Sequence, residues 1–262
     1  MIAAHLPVMP DESATTLKPE LRDKLARGLA LFDFDGTLLP WDTQVVFANH
    51  VLKREPARRL YLAVFAALSP AAGILGDEGM KRVFLSYLWK ASPAQVREWA
   101  REWVASWLPG QIHPEVREAL DHHRAAGHLT VLASASPDFY VTEVGRHLGF
   151  DLALGTPVDI AGPPRLFPDL VNHKGGEKVR RLSEIIGPPP PQGWEGSHGY
   201  TDSCADLPMM FACRAGTVVN PSPRLAGIAT ERAWRILRPP VPWKSRLDKI
   251  SHILRFAAGI HP

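Results

Sequence analysis

Two aspartates stand at the end of a short apolar run in the segment LALFDFDGTLLP. The run, Leu29–Phe34, is bounded by turn residues, a pattern that predicts a buried strand. Carboxylates at the end of such a strand need a cation beside them, because burying an unpaired charge is costly. Oxygen ligands of this kind suit Mg²⁺. Asp33 and Asp35 therefore predict a magnesium site, in which Gly36 allows a sharp turn and Thr37 supplies a hydroxyl.

Two later segments also place polar groups directly after predicted strands. Ser134 follows the apolar run Leu129–Ala133, and Asp202 follows a short strand that ends at Thr201. In open α/β sheets, ligands bind outside the carboxyl ends of the strands, so these groups and the first two aspartates are expected on one edge of the sheet. Asp206 stands four residues after Asp202, which brings its carboxylate to the same site one helical turn further on.

These segments resemble the motifs of the haloacid dehalogenase-like (HAD) superfamily, whose members are mostly phosphatases and phosphotransferases. The segment 33–37 resembles the first motif, and the order and spacing of the other segments are similar to subfamily IB, in its phosphoserine phosphatase-like branch. The resemblance implies that Asp33 is a nucleophile that forms an aspartyl-phosphate, and that Asp35 is the general acid and base.

The resemblance also implies roles for the second and fourth motifs. Ser134 would hydrogen-bond a phosphoryl oxygen, and the amides of Ala135 and Ser136 would add donors, with the Ser136 hydroxyl as an alternative to that of Ser134. Asp202 would ligate Mg²⁺ directly, together with the two aspartates of the first motif. Asp206 would complete the metal group, acting mainly through water or through a lysine.

Two lysines are candidates for the third motif, whose lysine pairs with the nucleophile and the phosphate. Lys174, in Lys174-Gly175, resembles the Lys-Gly of phosphoserine phosphatases. Lys178 lies in GGEKV, which resembles the GEEKV segment of related subfamily IB hydrolases and slightly favours this second lysine. Both lysines remain candidates on the sequence alone.

Alternating strand and helix patterns predict an α/β fold, a doubly wound parallel sheet with an inserted all-helical cap domain. The predicted HAD-like core comprises residues 1–40 and 109–237, the helical cap residues 41–108, and a basic C-terminal tail residues 238–262. Residues 1–18 form a loose lead-in, and short strands are expected between residues 150 and 167. The remaining predicted helices and final strand are Pro19–Arg27, Pro114–Ala126, Asp138–Leu148, a helix ending near Ile186, Ala205–Cys213, Gly216–Asn220 and Pro223–Leu237.

The predicted cap contains the candidates for substrate recognition. Asp42 stands seven residues beyond Asp35, where phosphoserine phosphatases have a substrate-reading glutamate, and this departure weakens a specific expectation of phosphoserine. Lys81, Arg82 and Asp42 could read charges on a substrate or serve as ordinary surface residues. Tryptophans at helical spacing in AQVREWAREWVASWL indicate core packing between helices, with a pocket-lining role as the alternative.

Composition sets broad limits on the partners. The chain has 262 residues and a formal net charge of +3, which gives no reason to expect nucleic-acid binding. The two cysteines, placed on one predicted helix, are too far apart to pair and fit a reducing compartment. We find no signal peptide pattern and no apolar stretch of about 18 residues without charges, so we predict cytoplasmic location without stable membrane insertion. The basic tail could lie on an acidic surface or a membrane, or form a solvated helix.

The function predicted from these observations is Mg²⁺-dependent hydrolysis of a small phosphorylated metabolite through an aspartyl-phosphate. One alternative is a phosphotransferase of the same superfamily. Another is a catalytically silent regulator that binds a phosphorylated ligand or a membrane. Phosphoserine, histidinol phosphate, a sugar phosphate and a lipid phosphate all remain open as ligands, and the sequence does not indicate the oligomeric state.

Overall fold

The computed structural model describes residues 17–262, so the predicted lead-in lies almost wholly outside the described residues. The described chain contains six strands: β1 Leu29–Phe32, β2 Leu129–Pro137, β3 Leu152–Thr156, β4 Trp194–Thr201, β5 Cys213–Val219 and β6 Arg235–Leu237. Its α-helices are α1 Pro19–Arg27, α2 Thr43–Arg54, α3 Tyr61–Leu68, α4 Ala72–Phe84, α5 Pro93–Trp107, α6 Pro114–Ala125, α7 Asp138–Leu148, α8 Gly176–Ile186, α9 Leu207–Phe211, α10 Pro223–Glu231 and α11 Arg246–Ala257.

The six strands form one sheet in the order β3-β2-β1-β4-β5-β6, and every neighbouring pair is parallel. This confirms the predicted doubly wound α/β fold. The chain builds outward from β1 to β2 and β3, then crosses back to place β4 on the other side of β1. The strand order therefore reverses between β1 and β4, which is where ligands bind in such sheets.

Alternation along β1 builds two hydrophobic cores, one on each face of the sheet. Leu29 and Leu31 contribute to the core beneath α8, α9 and α10, whereas Ala30 and Phe32 contribute to the core beneath α5, α6 and α7. All four side chains are fully buried. Because both faces are covered, the strand is a continuous apolar run.

Helices α2 to α5, between β1 and β2, lie within the predicted helical cap, residues 41–108. The Asp42 carboxylate caps α2 by accepting a hydrogen bond from the amide of Gln44, and Ser92 and Gln95 form a capping box at the start of α5. The tryptophan stripe of α5 packs in the core as expected: Trp99 is 4% and Trp103 1% exposed. Because Trp103 lies edge-on against Tyr140 of α7, the cap and the sheet domain share one continuous hydrophobic core.

One segment of the cap, Pro56–Leu88, is long and apolar enough to cross a membrane by length and composition. By length and composition alone, the expectation that the chain contains no such segment is therefore wrong, since Leu60–Gly76 carries no charged side chain. The backbone is interrupted by a 3₁₀ turn at Ser69–Ala71 and by Gly76, which has φ 63° and ψ −176°. The uninterrupted helix α3 has 8 residues, far short of the roughly 20 that a span requires.

Predictions for three segments in the second half of the chain differ from the structure. The helix predicted over Pro223–Leu237 ends at Glu231, because Ala233 adopts a φ of 53° and the next residues pair with β5 as the edge strand β6. The predicted helix Ala205–Cys213 is a 3₁₀ turn followed by the short α9. Cys213 begins β5, so the two cysteines do not share a helix. The expected strands between residues 150 and 167 reduce to β3.

The tail is folded onto the cap rather than solvated. Helix α11 packs against α2, and Phe256 is 2% exposed. The ring of Trp41, the first residue of the cap, lies edge-on to Phe256 at 5.2 Å and to Trp243 at 5.5 Å between centroids. The predicted boundary at residue 238 therefore separates residues that pack together.

Candidate active site

The first two aspartates leave the sheet where the strand order reverses. The amide of Asp33 donates to the carbonyl of Tyr200 in β4, which continues the β1–β4 pairing by one residue. The next residues turn sharply, and Asp35 forms an isolated bridge with Leu39. Asp202 follows the end of β4 directly. The structure therefore brings together the carboxylates that the sequence places after two separate strands.

Gly36 is the residue that lets these carboxylates approach. Its φ is 78°, and a Cβ atom at this position would lie 2.2 Å from Oδ2 of Asp202. Any other side chain would therefore displace that carboxylate. Thr37 is fully buried beside it, with Oγ1 3.3 Å from Oδ2 of Asp33 and 3.4 Å from Oδ1 of Asp202. The hydroxyl lies between the two carboxylates and can donate to one of them at a time.

Lys178 lies at the centre of the buried charges. Its Nζ is 2.6 Å from Oδ1 of Asp33 and 2.9 Å from Oδ1 of Asp206, and its side chain is 2% exposed. Burial acts to lower the pKa of Lys178, but the two carboxylates raise it above its ordinary value. Burial, and then repulsion from Asp206 and Asp202, raises the pKa of Asp33 despite the lysine. The carboxylates around Lys178 carry more negative charge than its single ammonium offsets.

The other candidate lysine lies at the contact between the core and the cap. The Nζ of Lys174 is 2.6 Å from Oδ2 of Asp77, and its side chain is 48% exposed. Lys174 precedes α8, whereas Lys178 lies in its first turn and faces the sheet. The structure thus places Lys178, and not Lys174, beside Asp33.

Both carboxylate oxygens of Asp206 have protein partners in this arrangement. Its Oδ1 contacts Lys178, and its Oδ2 accepts a hydrogen bond of 2.9 Å from the hydroxyl of Thr201. Contact with the lysine is one of the two roles expected for Asp206 from the sequence, the other being contact with the metal through water. Its place on a 3₁₀ turn, close behind the strand, directs the carboxylate inward toward Lys178.

Asp35 is held by neutral donors. Its Oδ1 accepts from the amide of Thr43 at 2.6 Å, and its Oδ2 accepts from the Ser136 hydroxyl at 2.7 Å. Ser134, fully buried, has its Oγ 3.5 Å from the same Oδ2 and accepts a hydrogen bond from the Ser136 amide. Both serines of the second motif therefore lie at the site, and the Ser136 hydroxyl makes the shorter contact to Asp35.

Two residues in this arrangement were missed by sequence reasoning. Thr43 Oγ1 lies 3.2 Å from the Ser136 hydroxyl and 3.3 Å from the hydroxyl of Tyr140. Thr43 and Tyr140 are both fully buried. Neither has a local sequence signal of its own, because they are 97 residues apart and meet through packing of the cap on α7. They form a hydrogen-bonded support behind Asp35.

The predicted substrate-reading residues divide into two groups. Asp42 and Lys81 face the pocket, whereas Arg82 pairs with Glu78 and Asp169 outside it, so the structure does not place Arg82 at the site. Adjacent residues on a helix point about 100° apart, so only one of the two cations of α4 faces the pocket. The residue that does is Lys81.

The charges of these pocket residues are perturbed by their surroundings. The Nζ of Lys81 donates to the carbonyl of Ala135 at 2.6 Å and to Oδ1 of Asn172 at 2.5 Å, and burial lowers its pKa to about 8. Asp42 keeps solvent access through the mouth of the pocket. Even so, enclosure by the walls, and then the nearby Asp35 carboxylate, raises its pKa.

The site opens into a cavity of about 710 Å³ between the sheet and the cap. The four motif aspartates lie at its floor with Lys178, and burial, followed by repulsion from Asp206, raises the pKa of Asp202 to about 6. Carboxylates that outnumber their buried cation fit a divalent metal ion. Among residues 17–262, no group of three or more His, Cys, Asp or Glu side chains is arranged as a metal cluster. A Mg²⁺ site does not require such a cluster, because that ion keeps several waters and takes few protein ligands.

Asp33 and its buried ammonium partner, Lys178, lie at the point where the doubly wound sheet reverses its strand order. This arrangement is that of an enzyme site in an α/β protein. The chain belongs to the haloacid dehalogenase-like hydrolases, whose family description matches residues 30–210. The resemblance stated from the sequence is thereby confirmed, and the protein is a hydrolase with phosphatase relatives.

Three comparisons show the range of its relatives. The chain is 25% identical over 226 residues to a histidinol-phosphatase of Neisseria meningitidis serogroup C (strain 8013), covering 80% of this chain and 98% of that protein. It is 26% identical over 217 residues to phosphoserine phosphatase SerB1 of Mycobacterium tuberculosis (strain ATCC 25618 / H37Rv), covering 79% and 69%. A solved structure of a protein of unknown function from Bordetella pertussis Tohama I has a TM-score of 0.67 and 27% identity, covering 80% and 98%.

Proposed function

We propose that this protein is a Mg²⁺-dependent phosphatase that hydrolyses a small phosphate monoester through a covalent phosphate on Asp33. One observation supports this proposal most directly. Asp33 is in contact with the buried ammonium of Lys178, whereas the second carboxylate, Asp35, is held by uncharged donors. Two carboxylates in such different surroundings suit different tasks, one as a nucleophile and the other in proton transfer.

Asp33 attacks phosphorus through one particular oxygen. Its Oδ1 is engaged by Lys178 at 2.6 Å, whereas Oδ2 has only the longer contact of 3.3 Å to the Thr37 hydroxyl, so Oδ2 is the oxygen proposed to form the bond. The new O–P bond forms as the bond from phosphorus to the alcohol oxygen breaks, and the charged lysine offsets the negative charge of the nucleophile and the phosphoryl group. Asp206 and Thr201 hold that lysine in place from behind.

Asp35 transfers the protons of both steps. It gives a proton to the departing alcohol oxygen, and it later takes one from the water that hydrolyses the aspartyl-phosphate. The Thr43 amide and the Ser136 hydroxyl fix the direction of its carboxylate. At the end of the cycle, alcohol and inorganic phosphate leave, and both carboxylates return to their starting state.

The metal site would be formed by the side chains of Asp33 and Asp202 and the backbone carbonyl of Asp35. A bound Mg²⁺ supplies positive charge that offsets the repulsion between a phosphate dianion and these carboxylates. The helical cap, residues 41–108, would shield the reacting groups from bulk water. Histidinol phosphate and phosphoserine, named for the relatives, both fall within the proposed class of small monoesters.

The experiment is hydrolysis of p-nitrophenyl phosphate by the full chain, with Mg²⁺ and with EDTA. We expect turnover with Mg²⁺, loss with EDTA and recovery when Mg²⁺ is restored. Asp33→Asn should lose at least roughly 10³-fold in kcat while its circular dichroism is retained. Addition of beryllium and fluoride should give a trifluoroberyllate adduct on Asp33. Full activity of Asp33→Asn would contradict the proposed nucleophile, and turnover without any divalent metal would contradict the proposed cofactor.

A further inference from the structure

The active-site cavity has a charged floor and an apolar distal wall, with polar and charged side chains such as Asp42 and Lys81 between them. The floor carries the motif aspartates and Lys178. The distal wall is formed by the first residues of the cap, by α3 and α4, and by α11 from the opposite end of the sequence. Its apolar side chains are Trp41, Val45, Phe65, Met80, Phe84 and Ile253.

The contribution of α11 to this wall is fixed by several contacts. The hydroxyl of Tyr61 donates to the carbonyl of Ala257, and the guanidinium of Arg59 donates to the carbonyl of Gly259 at 2.9 Å. Gly259 lies so close to the cap that a Cβ atom there would be 2.4 Å from Cβ of Leu52. These contacts hold α11 in one register on the cap and present Ile253 to the cavity.

The cations of the cavity walls already have partners. Lys81 is bonded to the Ala135 carbonyl and Asn172, Lys174 to Asp77, and the ammonium of Lys249 lies 4.5 Å from the ring centroid of Trp243. Above the floor, the walls of this cavity therefore hold no cation without a partner among residues 17–262. A second anionic group on a substrate, such as a carboxylate, would have to share an ammonium that already makes one of these interactions.

We propose that the alcohol released by this enzyme has an apolar body, which lies between the cap and α11 against Phe65 and Ile253. This inference rests on the proposed phosphatase function and specifies its substrate class as phosphate monoesters of apolar alcohols. The volume of about 710 Å³ lies within the range of about 300–1,000 Å³ that is typical of sites for medium-sized organic ligands. Each methylene that reaches the distal wall adds favourable burial, so binding should strengthen with alkyl length.

The test compares ethyl phosphate, hexyl phosphate and phosphoserine as substrates of the full chain with Mg²⁺. We expect kcat/KM for hexyl phosphate to exceed that for each of the other two at least tenfold, which corresponds to about 1.4 kcal/mol. Equal values for the ethyl and hexyl esters, or a preference for phosphoserine, would overturn the inference while leaving the phosphatase function intact. If none of the three esters is hydrolysed while p-nitrophenyl phosphate is, this inference fails; if p-nitrophenyl phosphate is not hydrolysed either, the proposed function itself fails.

Substitutions on the wall locate the effect. Ile253→Asn should reduce the ratio of kcat/KM for hexyl phosphate to kcat/KM for ethyl phosphate to below threefold. Phe65→Ala, on the opposite side of the cavity, should have the same effect, and it provides the test if Ile253→Asn does not fold. The matched control is Leu254→Asn, whose side chain is 64% exposed and does not line the cavity. The control should retain the wild-type ratio. A wild-type ratio in folded Ile253→Asn and Phe65→Ala would show that the distal wall does not bind the alcohol.

Discussion

At the residue scale, the site is organised by one ammonium between two carboxylates. Lys178 contacts Asp33 on one side and Asp206 on the other, and all three side chains are less than 10% exposed. Replacing one member of such a buried charged group leaves its partners without an opposite charge beside them. The resulting loss of stability is larger than the net stability that the intact ion pair provides. The lysine is therefore expected to affect both catalysis and stability.

Substitution of the two candidate lysines separates their roles. Lys178→Met should lower kcat for p-nitrophenyl phosphate by about 10²–10³-fold, since it removes the positive charge beside the proposed nucleophile, Asp33. The same change should lower the free energy of unfolding by about 3–5 kcal/mol because two carboxylates remain buried. Steady-state kinetics and urea unfolding measure the two effects.

Lys174→Met is the matched control, since this lysine lies four residues earlier and its side chain is 48% exposed. It should change kcat less than threefold and stability by less than about 1 kcal/mol, the usual value of an exposed ion pair. The assignment of the third-motif lysine would be reversed if Lys174→Met were the inactive variant.

Sequence reasoning reached most of these residues because the motif positions are fixed by strand ends. Asp33, Asp35 and Ser134 follow apolar runs and Asp202 follows a short predicted strand, and parallel strands bring their carboxyl ends to one edge. The two candidate lysines are four residues apart, and the choice between them depended on which one faces the sheet. Spacing alone does not determine that direction.

At the element scale, the start of α2 connects the cap to Asp35, the proposed general acid and base. Thr43 is the first residue of this helix, and its amide donates to Asp35 while its hydroxyl contacts Ser136. An amide in the first turn of a helix has no partner within that helix and is free to bind a carboxylate. The position of the cap and the orientation of Asp35 are therefore coupled through one short connection.

Removing one donor tests this support. Ser136→Ala should lower kcat for p-nitrophenyl phosphate by about tenfold, because a hydrogen bond to a charged group contributes about 1.5–3 kcal/mol. Tyr140→Phe removes a hydroxyl that reaches Asp35 through Thr43 and should lower kcat less than threefold. A pH profile of kcat for each variant distinguishes an altered acid from a general loss of folding. A larger effect of Tyr140→Phe than of Ser136→Ala would contradict this order.

The elements that sequence reasoning misplaced are those whose identity depends on distant partners. Residues 235–237 form a strand because β5 offers an unpaired edge, and nothing in three residues specifies that pairing. Helices α6 and α7, each with a proline at or just before its first residue and a periodic apolar face, begin at their predicted starts. Local signals fixed those helices, whereas tertiary contacts fixed the edge strand.

At the scale of the whole molecule, the first and the last helix of the described chain, α1 and α11, have different roles. Helix α1 contributes to the core beneath the sheet, whereas α11 crosses to the cap and completes the active-site cavity. The basic character of residues 238–262 suggested a separate tail. Its buried face, with Phe256 against Trp41, shows why composition was misleading: a few inward side chains determine where an amphipathic helix packs.

The attachment of α11 gives the last prediction, which concerns global stability. Phe256 is 2% exposed, stacks on His261 at 3.7 Å between ring centroids and packs against Trp41. Phe256→Ala should therefore cost about 3–5 kcal/mol in free energy of unfolding, the usual value for a buried phenylalanine. For a chain of this size, each kcal/mol lowers Tm by about 2–4 °C, so the expected decrease is roughly 10 °C.

Leu254→Ala serves as the control, because that side chain lies two residues away on the same helix and is 64% exposed. It should change Tm by less than about 2 °C, since exposed substitutions usually stay within about 0.5 kcal/mol. Differential scanning calorimetry of the metal-free full chain measures both variants. If α11 were only a loosely held tail, Phe256→Ala and Leu254→Ala would unfold at the same temperature as the wild type, because neither side chain would contribute to the cooperative core.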